Sequence, residues 1–173
     1  GNLGTPALSL EALWAEGSYV LEMSSFQLDL TRHMSFDIAV LLNIAPDHLD
    51  RHGDMAAYTA AKQKIFRSPR LKTAIVGIDG PDTLRICNEL RQREGLNVIP
   101  IATGRRLLDG VAANGGLLED HGQAICDLEV ARALTGRHNW QNAAAAYAAT
   151  RAMGIDPEVI ARALLSFPGL AHR

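Results

Sequence analysis

The stretch FDIAVLLNIAPDHLDRH, residues 36–52, predicts a buried strand that runs directly into a cluster of polar side chains. Its first part, Ile38–Leu42, is continuously apolar and contains β-branched residues, which is typical of a strand inside a parallel sheet. Open α/β sheets bind their ligands just past the carboxyl ends of the strands. The polar side chains that fall at this position are Asn43, Asp47, His48, Asp50, Arg51 and His52.

The rest of the chain alternates between strand and helix patterns. The predicted strands are Tyr19–Ser24, Phe36–Ile44, Thr73–Ile78 and Asn97–Ile101. The predicted helices are Thr5–Glu16, Met55–Arg67, Asp82–Glu94, Trp140–Met153 and Pro157–Ser166. This alternation predicts an α/β fold with a mostly parallel, doubly wound sheet flanked by helices. Between residues 105 and 130, dipeptides such as Asp109-Gly110 and Asn114-Gly115 predict hairpins, and therefore a small antiparallel β extension.

Composition narrows the classes of partner. The 173 residues suit one domain, and 47% of them are hydrophobic, which is enough to build a core. A formal net charge of −2 gives no electrostatic footprint for nucleic acid or an anionic membrane. Cys87 and Cys126 lack the spacing of a metal site, so we expect free thiols in a reducing compartment. The chain opens on a loop and has a turn near its end. We therefore expect it to be a fragment of a longer protein.

Glu22 lies near the end of a predicted apolar strand. A buried carboxylate is costly unless it is paired or binds a cation. Two strand ends, at Glu22 and at Asp47-His48, would bring a carboxylate and an imidazole to one sheet edge. Such a set can hold Mg²⁺, which prefers oxygen ligands. A structural hydrogen bond from Glu22 to a neighbouring loop is the alternative, and the residues alone leave both open.

The loop after the strand and the helix behind it offer further candidates. The run from Asp47 to His52 is not a zinc signature, because it lacks histidines spaced i, i+4. Asp50, Arg51 and His52 are instead predicted to be capping and salt-bridge residues. Lysines on a helix, here Lys62 and Lys64, ordinarily lie on a solvated face. Two alanines precede Lys62, however, so that this helix can pack closely and a lysine can point back into the site.

The segment Arg137–Asn142 opens a helix after Gly136. Asn139 is predicted to cap that helix. Helix N-termini attract anions and polar ligands, and Asn139 and Asn142 share a face at i, i+3, so that they could grip one ligand together. Simple capping is the alternative. The phosphate-binding pattern G-x-x-x-x-G-K-[ST] is absent from these 173 residues.

Six segments together make the sequence recognisable. In order, they are GNLGTPAL, LEMSSFQL, NIAPDHLDRH, YTAAKQKIF, LTGRHNWQNAAAA and FPGLAHR. The sequence resembles the central domain of the Mur ligases. The SSFQL and GNLGxPAL segments favour the D-glutamate-adding members over their paralogues and over the folylpolyglutamate synthases.

This resemblance implies a cytoplasmic, ATP-dependent amide-bond-forming ligase of peptidoglycan synthesis. Its substrates would be UDP-N-acetylmuramoyl-L-alanine, D-glutamate and ATP, its metal would be Mg²⁺, and the reaction would pass through an acyl phosphate. The parent is expected to be a monomer that binds neither nucleic acid nor membrane. The alternatives are a folylpolyglutamate synthase-like ligase and a non-catalytic α/β nucleotide-binding module.

The resemblance also assigns roles to single residues. Glu22 and His48 fall on Mg²⁺-binding positions, and Lys62 falls on the position that is carbamylated in the family, so that His48 and Lys62 are the catalytic candidates. Replacing an ammonium by a carbamate makes physical sense beside a metal, because it supplies anionic oxygens where a cation would repel. The positions that contact the nucleotide are Asn139, Asn142 and Arg173. The positions that hold the muramoyl substrate are Asn2, Ser24 and Gln27.

The resemblance further implies that residues 1–173 form a single, truncated central ATP-binding domain. The phosphate loop, the uridine-binding N-terminal domain and the C-terminal domain of the family would lie outside the chain. We therefore expect the isolated fragment to be inactive.

Overall fold

The computed structural model describes Pro6 and residues 9–14, 17–33, 35–47 and 49–169. Its described strands form one six-stranded sheet, in the order β1 to β6. They are β1 (Ile38–Leu41), β2 (Thr73–Gly77), β3 (Asn97–Thr103), β4 (Val111–Asn114), β5 (Leu117–Asp120) and β6 (Gln123–Asp127). Strands β1 to β4 are parallel, whereas β4, β5 and β6 pair antiparallel. The predicted fold class, including the antiparallel extension, is confirmed.

Six α-helices are described beside this sheet. They are α1 (Ser25–Leu30), α2 (Leu49–His52), α3 (Met55–Gln63), α4 (Pro81–Leu90), α5 (Arg137–Ala152) and α6 (Pro157–Leu165). A short 3₁₀ turn, Lys64–Arg67, extends α3, because Ser68-Pro69 prevents the α-helix from continuing. Within the described ranges, no helix is long and apolar enough to cross a membrane.

The sheet is covered on both faces, and β2 shows how. All five of its residues are buried, and successive side chains of a strand point to opposite faces. Ile75 belongs to the core cluster that includes α5, whereas Ala74 and Val76 belong to the cluster that includes α4. The domain therefore has three layers, with α5 on one face of the sheet and α4 on the other.

Helix α5 packs closely on the sheet through a face of small residues. Ala143, Ala144, Ala145 and Ala148 are buried. Small side chains let the helix backbone approach the strands closely, so that polar side chains near its start can reach the strand ends.

The far end of α5 is fastened to the antiparallel extension. The Tyr147 hydroxyl, which is fully buried, donates a hydrogen bond of 3.0 Å to Asp120 Oδ2 at the end of β5. Burial, together with the negative charge of Asp120, raises the pKa of Tyr147 well above its ordinary value. The phenol therefore remains a neutral donor throughout the physiological range.

Two predicted elements near the start of the chain are wrong. Residues 9–14 form no α-helix, and Trp14 is 92% exposed. Tyr19–Ser24 form no strand, and Val20 is 96% exposed. Both patterns are apolar, but an apolar segment folds regularly only where another element buries it. Local contacts hold this segment instead, since the Tyr19 hydroxyl donates to Glu11 O and accepts from Leu13 N.

Candidate functional site

The parallel strands end side by side, and the first turns of α5 lie over their carboxyl ends. Leu41 of β1 pairs with Val76 of β2, and Gly77 of β2 pairs with Ile101 of β3. Helix α5 contacts all four parallel strands. Open α/β sheets bind their ligands at this edge. The loop after β1 and the start of α5 both lie there.

Arg137, the first residue of α5, is bound to the end of β3. Its Nε donates to Thr103 Oγ1 at 2.8 Å, and its Nη2 donates to the Thr103 carbonyl at 3.2 Å. Asp79, which follows β2, accepts from the Thr103 backbone N–H at 2.9 Å and from its hydroxyl at 2.8 Å. Arg137 Nη2 also lies 3.9 Å from Asp79 Oδ2. This network fixes the start of α5 relative to β2 and β3.

Gln141, one turn further along α5, is bound to the end of β1. Its Nε2 donates to the Leu42 carbonyl at 3.2 Å, and its Oε1 accepts from Asn43 Nδ2 at 3.0 Å. Gln141 is only 8% exposed. The polar cluster that follows β1 therefore begins with a residue that is held by the helix above it.

The cap of α5 differs from the prediction. The helix begins at Arg137, and Gly136 occupies the N-cap with a φ of 92°, a conformation that only glycine adopts readily. Asn139 is therefore the third residue of the helix, and its Nδ2 donates to the Thr135 carbonyl at 2.9 Å. Asn142 is exposed. The two asparagines lie on one face of the helix, near the carboxyl edge of the sheet.

The loop after β1 is held by stacked rings. The His52 ring lies between Phe26 and Tyr58, with centroid distances of 5.6 and 5.3 Å. His52 Nε2 shares a hydrogen bond of 3.1 Å with Ser25 Oγ, and Arg51 Cζ lies 5.4 Å from the Phe26 centroid. Among the described residues, Arg51 and His52 therefore join this segment to α1 and α3 through ring contacts and one hydrogen bond, whereas capping and salt bridges were predicted.

Lys62 and Lys64 occupy different environments although they are two residues apart. Lys64 Nζ donates to Asp29 Oδ1 at 2.5 Å, and this ion pair lowers the pKa of Asp29. Lys62 Nζ lies 5.2 Å from the centroid of the Tyr58 ring, over its face. Among the described residues, no carboxylate forms an ion pair with Lys62. Of these two lysines, only Lys62 therefore has an amine that is open to another anionic group or to modification.

Comparison with known families decides where this fold belongs. The family model described as Mur ligase middle domain matches residues 2–150. The chain belongs to the Mur ligase family. The family prediction is thus confirmed over most of the sequence.

Curated relatives extend the match to the whole of this chain. The UDP-N-acetylmuramoylalanine--D-glutamate ligase of Paramagnetospirillum magneticum is 50% identical over 175 residues, which cover 100% of this chain and 38% of the relative. The protein of the same name from Rhodospirillum rubrum is 52% identical over 178 residues, with 100% of this chain and 37% of the relative covered. This Mur ligase domain therefore spans less than two-fifths of the length of these relatives.

A solved structure supports the fold. The middle domain resembles a UDP-N-acetylmuramoyl-L-alanyl-D-glutamate--2,6-diaminopimelate ligase with a TM-score of 0.65, over 79% of this chain and 29% of that one. The two sequences are 20% identical, so this likeness concerns architecture alone.

Ser24 and Gln27, the predicted substrate residues of the Mur ligase domain, bind each other. Ser24 Oγ accepts from the Gln27 backbone N–H at 3.2 Å, and Gln27 Oε1 accepts from the Ser24 backbone N–H at 2.9 Å. This reciprocal pair is a capping box at the start of α1. The spacing S-x-x-Q is visible in the sequence and could have predicted the cap.

The metal residues are only partly described. Glu22 is exposed and lies outside any strand, so the premise of a buried strand-end carboxylate is wrong. Within the described part of the chain, no three His, Cys, Asp or Glu side chains cluster as a metal site. His48, Asn2 and Arg173 lie outside the described residues, and the roles of all nine assigned residues stay predictions.

Sequence reasoning missed the bonds that hold this edge together. Thr103, Asp79 and Gln141 were not singled out, and Arg137 was noted only as part of a segment. Their partners are 24 to 99 positions away in the sequence, so no local pattern shows them. Gly77 offers a weak signal, because a glycine that ends a buried strand often marks a close approach of backbone.

Proposed function

We propose that the full-length protein containing this chain is a cytoplasmic, ATP-dependent ligase that joins D-glutamate to UDP-N-acetylmuramoyl-L-alanine. The observation that carries this proposal is identity of 50% to a relative of that name over the whole of the chain. The described geometry is compatible with it, since Asn139 and Asn142, the assigned residues of α5, lie near the carboxyl ends of the parallel strands, where open α/β sheets bind ligands.

The proposed reaction has two steps. An oxygen of the L-alanyl carboxylate attacks the γ-phosphorus of ATP, and ADP leaves, which gives an acyl phosphate. The D-glutamate amine then attacks the acyl carbon, loses a proton and displaces inorganic phosphate, which carries away the attacking carboxylate oxygen. Catalysis of such a transfer rests mainly on positioning and on neutralising charge.

The residue types that the resemblance assigns suit the hard cation that this reaction calls for. Lys62 carries no carboxylate partner among the described residues, and a carbamate on its amine would supply anionic oxygens. Glu22 is an exposed carboxylate, and His48 completes the predicted set. We propose that these three residues hold Mg²⁺. When it is bound, Mg²⁺ neutralises charge on the transferring phosphoryl group.

Different residues are proposed to hold the two nucleotide substrates. Asn139 and Asn142, with Arg173, are proposed to contact ATP. Ser24 and Gln27, with Asn2, are proposed to hold the muramoyl nucleotide. The capping box supports this second role, because it fixes both side chains before a substrate arrives and leaves the Gln27 amide nitrogen without a partner among the described residues.

Two alternatives are less favoured. A folylpolyglutamate synthase-like ligase would use a different acceptor, and the relatives with about 50% identity carry the D-glutamate ligase name. A non-catalytic nucleotide-binding module would need no lysine kept free of ion pairs. We also propose that residues 1–173 act as the central domain of a larger enzyme and have no ligase activity by themselves.

Acceptor profiling of the full-length protein tests the proposed function. We expect ATP-dependent phosphate release only when UDP-N-acetylmuramoyl-L-alanine and D-glutamate are both present. L-Glutamate and a reduced folate serve as the control substrates. Turnover of the reduced folate with L-glutamate would instead support the folylpolyglutamate alternative. Absence of turnover both with this pair and with UDP-N-acetylmuramoyl-L-alanine and D-glutamate would support a non-catalytic module.

A further inference from the structure

We propose that Gln141 is a positioning residue that couples the nucleotide side of the site to the metal side. This inference rests on the proposed function for the roles of the two sides. The coupling itself rests on hydrogen bonds among described residues. Gln141 does not need to touch a substrate to act in this way.

Both ends of the Gln141 amide are used, and they bind neighbouring residues of one segment. The nitrogen donates to the Leu42 carbonyl at 3.2 Å, and the oxygen accepts from Asn43 Nδ2 at 3.0 Å. Leu42 and Asn43 directly follow β1, and the chain continues from them towards His48 in the sequence. Since Gln141 is only 8% exposed, water competes little for these bonds.

Gly77 lies at the end of β2, at a point where there is no room for a side chain. A Cβ at position 77 would lie 1.9 Å from the Leu42 carbonyl oxygen and 3.0 Å from Gln141 Nε2. The ends of β1 and β2 and the second turn of α5 therefore meet at one amide group. Such close approach makes the position of the Leu42–Asn43 segment depend on Gln141.

In the sequence, Gln141 also lies between Asn139 and Asn142, the two asparagines assigned to the nucleotide. Among the described residues, the only side-chain hydrogen bonds between α5 and the segment after β1 are those of Gln141. A shift of α5 on binding ATP would thus be transmitted to the His48 loop through this amide. Conversely, without the amide, the positions of α5 and of the segment after β1 would no longer depend on each other.

Two substitutions in the full-length protein separate the contributions of the amide. Gln141→Leu keeps a similar volume and removes both hydrogen bonds, and we expect kcat/KM for ATP to fall by at least about tenfold, because misplaced groups lose rate steeply. KM for D-glutamate should change little. Gln141→Glu keeps an acceptor for Asn43 but places a buried anionic oxygen against the Leu42 carbonyl, so its loss should be at least as large as that of Gln141→Leu.

A double-substitution cycle tests whether the bond to Asn43 matters. If Gln141 acts through Asn43, the double variant Asn43→Ala/Gln141→Leu should be no slower than the slower single variant. Independent effects that multiply would overturn the coupling.

Tyr147→Phe is the matched control. It removes a buried hydrogen bond of the same helix, to Asp120 in β5, away from the carboxyl edge of the parallel strands. We expect it to lower thermal stability while leaving KM for ATP and kcat unchanged. Equal kinetic losses in Tyr147→Phe and Gln141→Leu would reduce Gln141 to a structural residue and overturn the inference.

Hydrogen–deuterium exchange gives a readout that needs no activity. Gln141→Leu should speed exchange across residues 42–52, whereas Tyr147→Phe should not. Unchanged exchange in Gln141→Leu would overturn the inference even in an active enzyme. If the wild-type protein had no ligase activity, faster exchange in Gln141→Leu would still support the coupling but would contradict the proposed function.

Discussion

Lys62→Ala in the full-length protein is expected to lower the ligase rate by about 10²- to 10³-fold, the loss that follows removal of a group which stabilises developing charge. The structure leaves Lys62 over the Tyr58 ring without a carboxylate partner among the described residues. A carbamate on this lysine would supply the anionic oxygens that an unmodified ammonium cannot. The measurement is phosphate release with saturating substrates.

Chemical rescue distinguishes a lost carbamate from a damaged helix. Acetate or another short carboxylate can occupy the space that Lys62→Ala opens, and we expect it to restore part of the activity. Lys64→Ala is the matched control, because Lys64 lies on the adjoining turn and is paired with Asp29. It should remain close to wild type and should not respond to carboxylates. Full activity in Lys62→Ala would remove Lys62 from the mechanism.

Gly77→Ala is expected to destabilise the protein by about 3 kcal/mol, near the upper end of the usual cost of overpacking. The added Cβ would lie 1.9 Å from the Leu42 carbonyl oxygen, a backbone atom that cannot move without shifting the end of β1. Urea-induced unfolding of the full-length protein, followed by circular dichroism, measures the loss.

Gly80→Ala provides the comparison for this prediction. Gly80 also follows β2 and has a negative φ of −111°, but a Cβ there would meet only Thr83 Oγ1, at an ordinary 3.6 Å. Its cost should stay within about 1 kcal/mol, as for an N-cap change. Equal stability of Gly77→Ala and Gly80→Ala would show that the ends of β1 and β2 are not packed as described.

Elements with strong periodicity were predictable from sequence, because their burial pattern follows from the fold around them. The predicted strand Thr73–Ile78 agrees with β2, and the helix that contains Lys62 was placed to within a turn. The residues from Tyr19 to Ser24 have the same apolar character but form no strand, because no described element buries them on both sides. A local apolar pattern correctly predicts a strand only where a sheet is present for that strand to pair with.

The sequence suggested residues for the site but not the geometry around them. Resemblance to a family supplied Lys62 and Asn139, whereas the bonds of Gln141 to Leu42 and Asn43 depend on chain segments about a hundred residues apart. The cap of α5 was misplaced because the positive φ of Gly136 moves the helix start upstream of Asn139. Backbone conformation of this kind is not legible in residue type alone.

Isotope transfer is the most direct test of the account. UDP-N-acetylmuramoyl-L-alanine carrying the heavy oxygen isotope in its L-alanyl carboxylate is incubated with the full-length protein, ATP, Mg²⁺ and D-glutamate, and the released phosphate is analysed by mass spectrometry. The acyl phosphate route predicts one labelled oxygen in each phosphate, formed together with the D-glutamyl product. Unlabelled phosphate would show that water, not the carboxylate, attacks ATP, and would contradict the proposed ligase chemistry.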